Sequence, residues 1–128
     1  MKYSVDKQEK YTVLTLDEPK LDATLSPELK STFVSMNAEG TRNFIVDLNA
    51  VKYVDSSGLS AILIANRLCH DQNGTLVLTG VTEHVLKLIK ISQLEKVLNI
   101  LPSVEESVDL VLLNEVERDL ESTEAEEE

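Results

Sequence analysis

Asp55-Ser56-Ser57 puts a carboxylate and two adjacent hydroxyls where an apolar stretch, Phe44-Ile45-Val46-Asp47-Leu48 continued by Val51 to Val54, gives way to a new pattern. From Leu59 to Cys69 apolar residues recur at helical spacing, so a helix starts near Ser57. The first turn of a helix has N–H groups without intrahelical partners and a partial positive charge. A phosphate carried on Ser56 or Ser57 is therefore tolerated at that point. Asp and Ser are also ordinary N-cap residues, and Gly58 lets the backbone pass closely, so the same run also reads as a plain helix cap.

Catalytic use of these hydroxyls finds little support. A serine nucleophile needs a base within hydrogen-bond reach and a partner that orients the base. The motif is not Gly-x-Ser-x-Gly, and neither His70 nor His84 lies in a loop that plainly returns to the strand end. The glycines, Gly40, Gly58, Gly74 and Gly80, are scattered and build no phosphate-cradling loop. Neither histidine has a Cys or His neighbour at metal-ligand spacing, and Cys69, the single cysteine, falls within an apolar helical pattern as a packed thiol. We expect no enzyme activity, no cofactor and no metal. A phosphoacceptor needs less: an exposed hydroxyl at a fixed place on a recognised surface. Added phosphate brings about −1.5 to −2 charge, enough to disrupt a packed interface and leave the fold intact.

The elements that position the run follow from pattern. Lys2 to Lys7 and Tyr11 to Leu16 read as paired strands about a Gln8-Glu9-Lys10 turn, and Asp17-Glu18-Pro19-Lys20 breaks the pattern. Ser26-Pro27-Glu28 reads as N-cap serine, first-position proline and first-turn acid, opening a helix that ends near Gly40. After the central strand and the helix from Ser57, Asn73-Gly74 supplies a left-handed stop, and Thr75 to Thr79 is the next strand. Strand, crossover helix and strand imply parallel pairing with helices packed on the sheet. A short helix over Glu83 to Ile91, a last strand over Val97 to Leu101 and a capping box at Ser103-Val104-Glu105-Glu106 follow. The final helix has Val104, Val108, Leu112, Val116 and Leu120 spaced by fours, read as its buried face. The fold class is α/β: one domain over 1–120, a mixed four- or five-stranded sheet with about four helices.

The chain has 128 residues and a net charge of −11, which argues against a nucleic-acid partner. Glu115 to Glu128 holds eight acids and one base, so the body before it is only mildly acidic. The end, 121–128, has little to bury and repels itself; we expect a disordered acidic tail. No stretch approaches a membrane span and no signal-peptide core begins the chain, which suggests a cytoplasmic protein without direct membrane insertion. Monomer and weak dimer both remain open.

Asp-Ser-Ser-Gly-Leu after an apolar strand and before an apolar helix resembles the signature of the anti-sigma factor antagonist (STAS) family, whose members are switched by phosphorylation of one serine. The similarity runs from about Tyr3 to about Leu120 and includes Lys20-Leu21-Asp22 before the first helix. It implies that Ser56, directly after the aspartate, is the phosphorylated residue, with Ser57 the weaker candidate. It further implies that Asp22 lies beside that serine in partner and kinase contact; Asp55, Ser57 and Gly58 are taken as partner-binding with it, and the apolar face of the helix after Gly58 suggests a groove with Leu59 and Ser60 as candidate contacts. The broad apolar face of the helix adds Leu63 as a candidate contact, although a helix covered by its own core reads the same way. Many members have a second glycine where this chain has Ser60. The implied partners are an anti-sigma factor with serine kinase activity, which would use nucleotide and magnesium itself, and a serine phosphatase. Unphosphorylated protein would bind the anti-sigma factor and so release a sigma factor for transcription. The alternatives are a cytosolic accessory subunit of a membrane transporter, a component of a larger signalling assembly, and a domain that binds nucleotide itself.

Overall fold

In the computed structural model, residues 1–121 are described throughout, and beyond them only the extent of the last helix is given. The expected disordered tail, 121–128, thus falls outside the described residues except for Glu121. The elements run β1 (Tyr3–Lys7), β2 (Thr12–Leu16), β3 (Lys20–Leu21), α1 (Ser26–Ala38), β4 (Phe44–Asp47), β5 (Tyr53–Val54), α2 (Ser56–Asp71), β6 (Leu76–Thr79), α3 (Glu83–Ile91), β7 (Asn99–Leu101) and α4 (Val104–Glu127). The main sheet is five-stranded, in the order β1-β2-β4-β6-β7. β1 pairs antiparallel to β2 and the other neighbours are parallel.

Alternation along the central strands builds two cores, because successive side chains leave a strand on opposite faces. Leu14 and Leu16 of β2, Phe44 and Val46 of β4 and Leu76 and Leu78 of β6 face Leu29 and Phe33 of α1, Ile62 and Ala65 of α2 and Val85 and Ile89 of α3. Val13, Ile45 and Val77 face the other way, onto Val111 of α4. The strands from β2 to β7 are added in one direction, so α1, α2 and α3 all lie on one face and α4 alone covers the other.

Three local readings need correction. Ser26 is not the cap of α1. That place falls to Leu25, Ser26 is the first helical residue, and its hydroxyl donates back to the Asp22 carbonyl at 2.6 Å. The strand ahead of α1 was also unforeseen: two residues, Lys20 and Leu21, pair in parallel with Tyr53 and Val54 as a separate two-stranded sheet. Finally, the inward face of α4 is not the stripe spaced by fours. Val111, Ser107 and Glu115 are buried, while Leu112, Val116 and Leu120 are exposed. Four residues advance a helix by about 400°, so such a stripe drifts about 40° at each step and Leu120 ends on the far side from Val104.

A charged cluster fixes α4 to the sheet in place of the expected leucines. The Glu115 carboxylate, almost fully buried, accepts from Asn43 Nδ2 at 2.7 Å and pairs with Arg42 and with Arg118 at 3.5 Å. Arg118 Nη2 also donates to the Gly74 carbonyl at 3.2 Å. At the end of α2, Asn73 is the left-handed residue (φ 59°), and Gly74 is required because a Cβ there would lie 1.7 Å from the Arg42 carbonyl oxygen.

Candidate functional site

β5 ends at Val54, and Asp55 turns the chain into α2 with an extended backbone (φ −98°, ψ −176°). Its carboxylate Oδ1 accepts from the Gly58 N–H at 3.0 Å and from the Ser57 hydroxyl at 2.5 Å. Asp55 therefore caps the helix and orients Ser57, not Ser56. The Ser57 bond and then the Gly58 bond hold the Asp55 carboxyl below its ordinary value, so it is ionised at neutral pH. Ser57 is half-buried, and its oxygen lies 3.1 Å from that of the buried Ser26. Ser56 is exposed at the first position of α2.

The two loops that carry Asp22 and Ser56 are joined through backbone as well as hydroxyls. The Asp55 N–H donates to the Leu21 carbonyl at 3.2 Å, and the Asp22 carbonyl receives Ser26. Gly58 makes this approach possible, since a Cβ would lie 2.5 Å from the Leu21 carbonyl oxygen and 2.9 Å from Val54 Cγ1. Asp22 Oδ1 accepts from the Thr24 hydroxyl at 2.6 Å and the Thr24 N–H at 3.0 Å, which hold its carboxyl below its ordinary value. The carboxyls of Asp22 and Asp55 are near enough to act on each other electrostatically, and Ser56 directly follows Asp55.

Of the sequence candidates, Asp22, Asp55, Ser57 and Ser60 are half-buried and Ser56 is exposed. Gly58 and Leu59 are buried; Leu59 is 7% exposed and packs in the main core, so its side chain forms no partner surface. Leu63, partly buried, packs against the same core. Sequence reasoning missed Ser26, whose apparent capping role concealed its contact with Ser57. It also missed Thr24, which forms an Asx turn with Asp22 and was legible as Asp-x-Thr. Among the described residues no helix is long and apolar enough to cross a membrane, and no cluster of His, Cys, Asp or Glu could hold a metal.

A sheet with helices α1 to α3 on one face, and a helix α2 capped by Asp55 that opens on an exposed serine, defines a small α/β domain. The profile of the STAS domain matches residues 2–107, and the chain belongs to that family. Curated relatives include the anti-sigma-B factor antagonists of Staphylococcus epidermidis and of Staphylococcus aureus (strain NCTC 8325 / PS 47). They are 31% and 28% identical over 81 residues, 63% of this chain and 75% of theirs. Among solved structures, an anti-sigma-factor antagonist (STAS) domain protein from Planctomyces limnophilus superposes with a TM-score of 0.77 at 18% identity, covering 86% of this chain and 97% of that one. The anti-sigma factor antagonist SpoIIAA in its phosphorylated form, described as a Bacillus cell fate determinant, gives 0.68 at 19% identity, with coverage of 86% and 99%. A sulfate transporter family protein from Wolinella succinogenes gives 0.72 at 16% identity, with coverage of 84% and 88%.

Proposed function

We propose that this chain is an anti-sigma factor antagonist controlled by phosphorylation of Ser56. Unmodified, it binds an anti-sigma factor with serine kinase activity in the cytoplasm and so releases a sigma factor for transcription. Phosphate on Ser56 breaks that complex, and a serine phosphatase restores it.

The observation that carries the assignment is the division of labour between the two hydroxyls. Ser57 is half-buried and donates to Asp55, so transfer of phosphate to it would first have to break that bond and draw the hydroxyl away from Ser26. Ser56 is exposed and carries no cap role. The consequence of modification is electrostatic. Asp22 and Asp55 already bring about two negative charges to the site, and phosphate adds about −1.5 to −2, roughly doubling them. A partner surface arranged to meet the smaller charge is then repelled, with the fold unchanged. The names of the staphylococcal relatives and the existence of a phosphorylated SpoIIAA with the same fold support this reading.

The test is affinity capture with Ser56→Ala and Ser56→Asp proteins as parallel baits, read by mass spectrometry. A kinase-like partner held by the alanine form and lost with aspartate supports the proposal. Identical captures, or a membrane complex indifferent to Ser56, would replace it with the accessory-subunit reading.

A further inference from the structure

We propose that Tyr53 and His84, together with Lys20, Lys52 and Lys87, form a second contact surface beside Ser56 that takes a carboxylate-rich segment of the partner protein. This inference rests on the switching role of Ser56 and extends it to how the partner is aligned.

The first observation is a ring pair held in water. Tyr53 and His84 stack with centroids 5.8 Å apart and an interplanar angle of 21°, yet both are exposed. On β5 the neighbouring Val54 is buried, so Tyr53 occupies the outward position of the strand. Exposed aromatic surface with limited side-chain freedom is typical of the anchors of protein interfaces.

The second observation is charge. In the parallel β3–β5 pair Lys20 lies opposite Tyr53, on the same outward face. Lys52, His84 and Lys87, with Thr82 and Glu83, line a shallow concavity of about 450 Å³. Lys87 and the exposed Ile91 follow His84 on one face of α3. Within the concavity Lys52 and Lys87 outnumber Glu83, so its lining is net positive on a chain whose net charge is −11, while Lys20 stands at its Ser56 side, beside Asp22. A cationic rim about aromatic anchors is complementary to carboxylates.

Continuity with the switch selects the occupant. Tyr53 stands on the strand that leads directly to Asp55 and Ser56, so a partner seated on Ser56 overlies this ridge. Binding would then have two parts: the ridge would attract and align an acidic segment, and the Ser56 position would permit or refuse close contact. Nucleic acid is disfavoured by the overall charge.

Two measurements separate this inference from the reading beneath it. Free poly-glutamate, titrated at low ionic strength and followed by amide chemical shifts, probes the ridge without any partner. Shifts should concentrate at Lys20, Lys52, Tyr53, His84 and Lys87 and vanish in Lys52→Glu/Lys87→Glu; shifts spread over all lysines would overturn the proposal. The protein retained by the Ser56→Ala bait, once purified, should associate with Lys52→Glu/Lys87→Glu roughly tenfold more slowly than with wild type, and the difference should shrink with added salt. The control Lys10→Glu, at the opposite end of the sheet, should leave the rate unchanged. If Ser56→Asp abolishes binding and the lysine reversals leave the rate unchanged, the ridge fails and the switch stands. If Ser56→Asp binds as wild type, the switch itself fails. A change of oligomeric mass in the lysine variants would assign the ridge to contacts between copies and overturn the proposal.

Discussion

Gly58→Ala tests the junction on which the site depends. A Cβ at this position would lie 2.5 Å from the Leu21 carbonyl oxygen, 2.8 Å from Leu21 Cγ and 2.9 Å from Val54 Cγ1. Carbon contacts settle at about 3.5–4.0 Å, so β3 and the start of α2 must separate by the better part of an ångström. Neither neighbour yields readily: Leu21 is fully buried, Val54 nearly so, and the Leu21 carbonyl accepts the Asp55 N–H. Overpacking of this kind costs about 1–3 kcal/mol, and loss of the backbone bond about 1 kcal/mol more. The helix preference for alanine over glycine returns at most about 1 kcal/mol. The net loss is about 2 kcal/mol, and for a domain of this size the thermal midpoint should fall by roughly 6–10 °C. Calorimetry and urea unfolding at neutral pH measure it. A Gly58→Ala protein as stable as wild type would refute the close approach of β3 to α2 at the Leu21 carbonyl.

Ser56→Ala and Ser56→Asp should each stay within about 0.5 kcal/mol of wild type in urea unfolding, because the residue is exposed and does not cap. Glu115 governs the acid limb of stability. Burial pushes its carboxyl up, but the bonds from Asn43 and Arg42 and the nearby Arg118 outweigh this and hold it below the ordinary 4.5. The folded state thus binds the proton less readily than the unfolded one, so this contribution is complete above the ordinary value and lost as pH falls through the lower folded value. Glu115→Gln should flatten the decline of urea midpoints on acidification; an unchanged slope would show that the carboxylate is not paired as described. Asp22 and Asp55 act with the same sign, so some decline remains. Burial pushes the Cys69 thiol up to about 12, and Ellman's reagent at neutral pH should label it only after unfolding.

Much of the fold was legible because its signals are local and repeated. The short apolar runs of β4 and β6 have the length and composition of buried strands, and the change to helical spacing after Ser57 marked α2. The Asp55 cap was legible from residue type alone. What escaped depends on distant pairing. β3 is two residues long, too short for any periodicity, and exists because Tyr53 and Val54 lie alongside it. Ser26 has the composition of a cap, but the Asp22 carbonyl and Ser57 draw its hydroxyl elsewhere. Glu115 looked like one acid among many; Asn43 and Arg42, more than seventy positions earlier, make its burial tolerable. The partner candidates divide in the same way: the position of Ser56 just after the cap residue was readable in the sequence, whereas the burial of Leu59 follows from a core assembled out of five strands and three helices.

The central claim is that one hydroxyl, that of Ser56, carries the switch. The most direct measurement incubates the wild-type protein with the purified kinase-like partner and ATP, then maps the modified residue by peptide mass spectrometry and follows the complex by size-exclusion chromatography. The account predicts a single phosphate on Ser56, none on Ser57, and dissociation in step with its appearance. Phosphate on Ser57, equal labelling of Ser56→Ala, or a complex that survives full modification would contradict it.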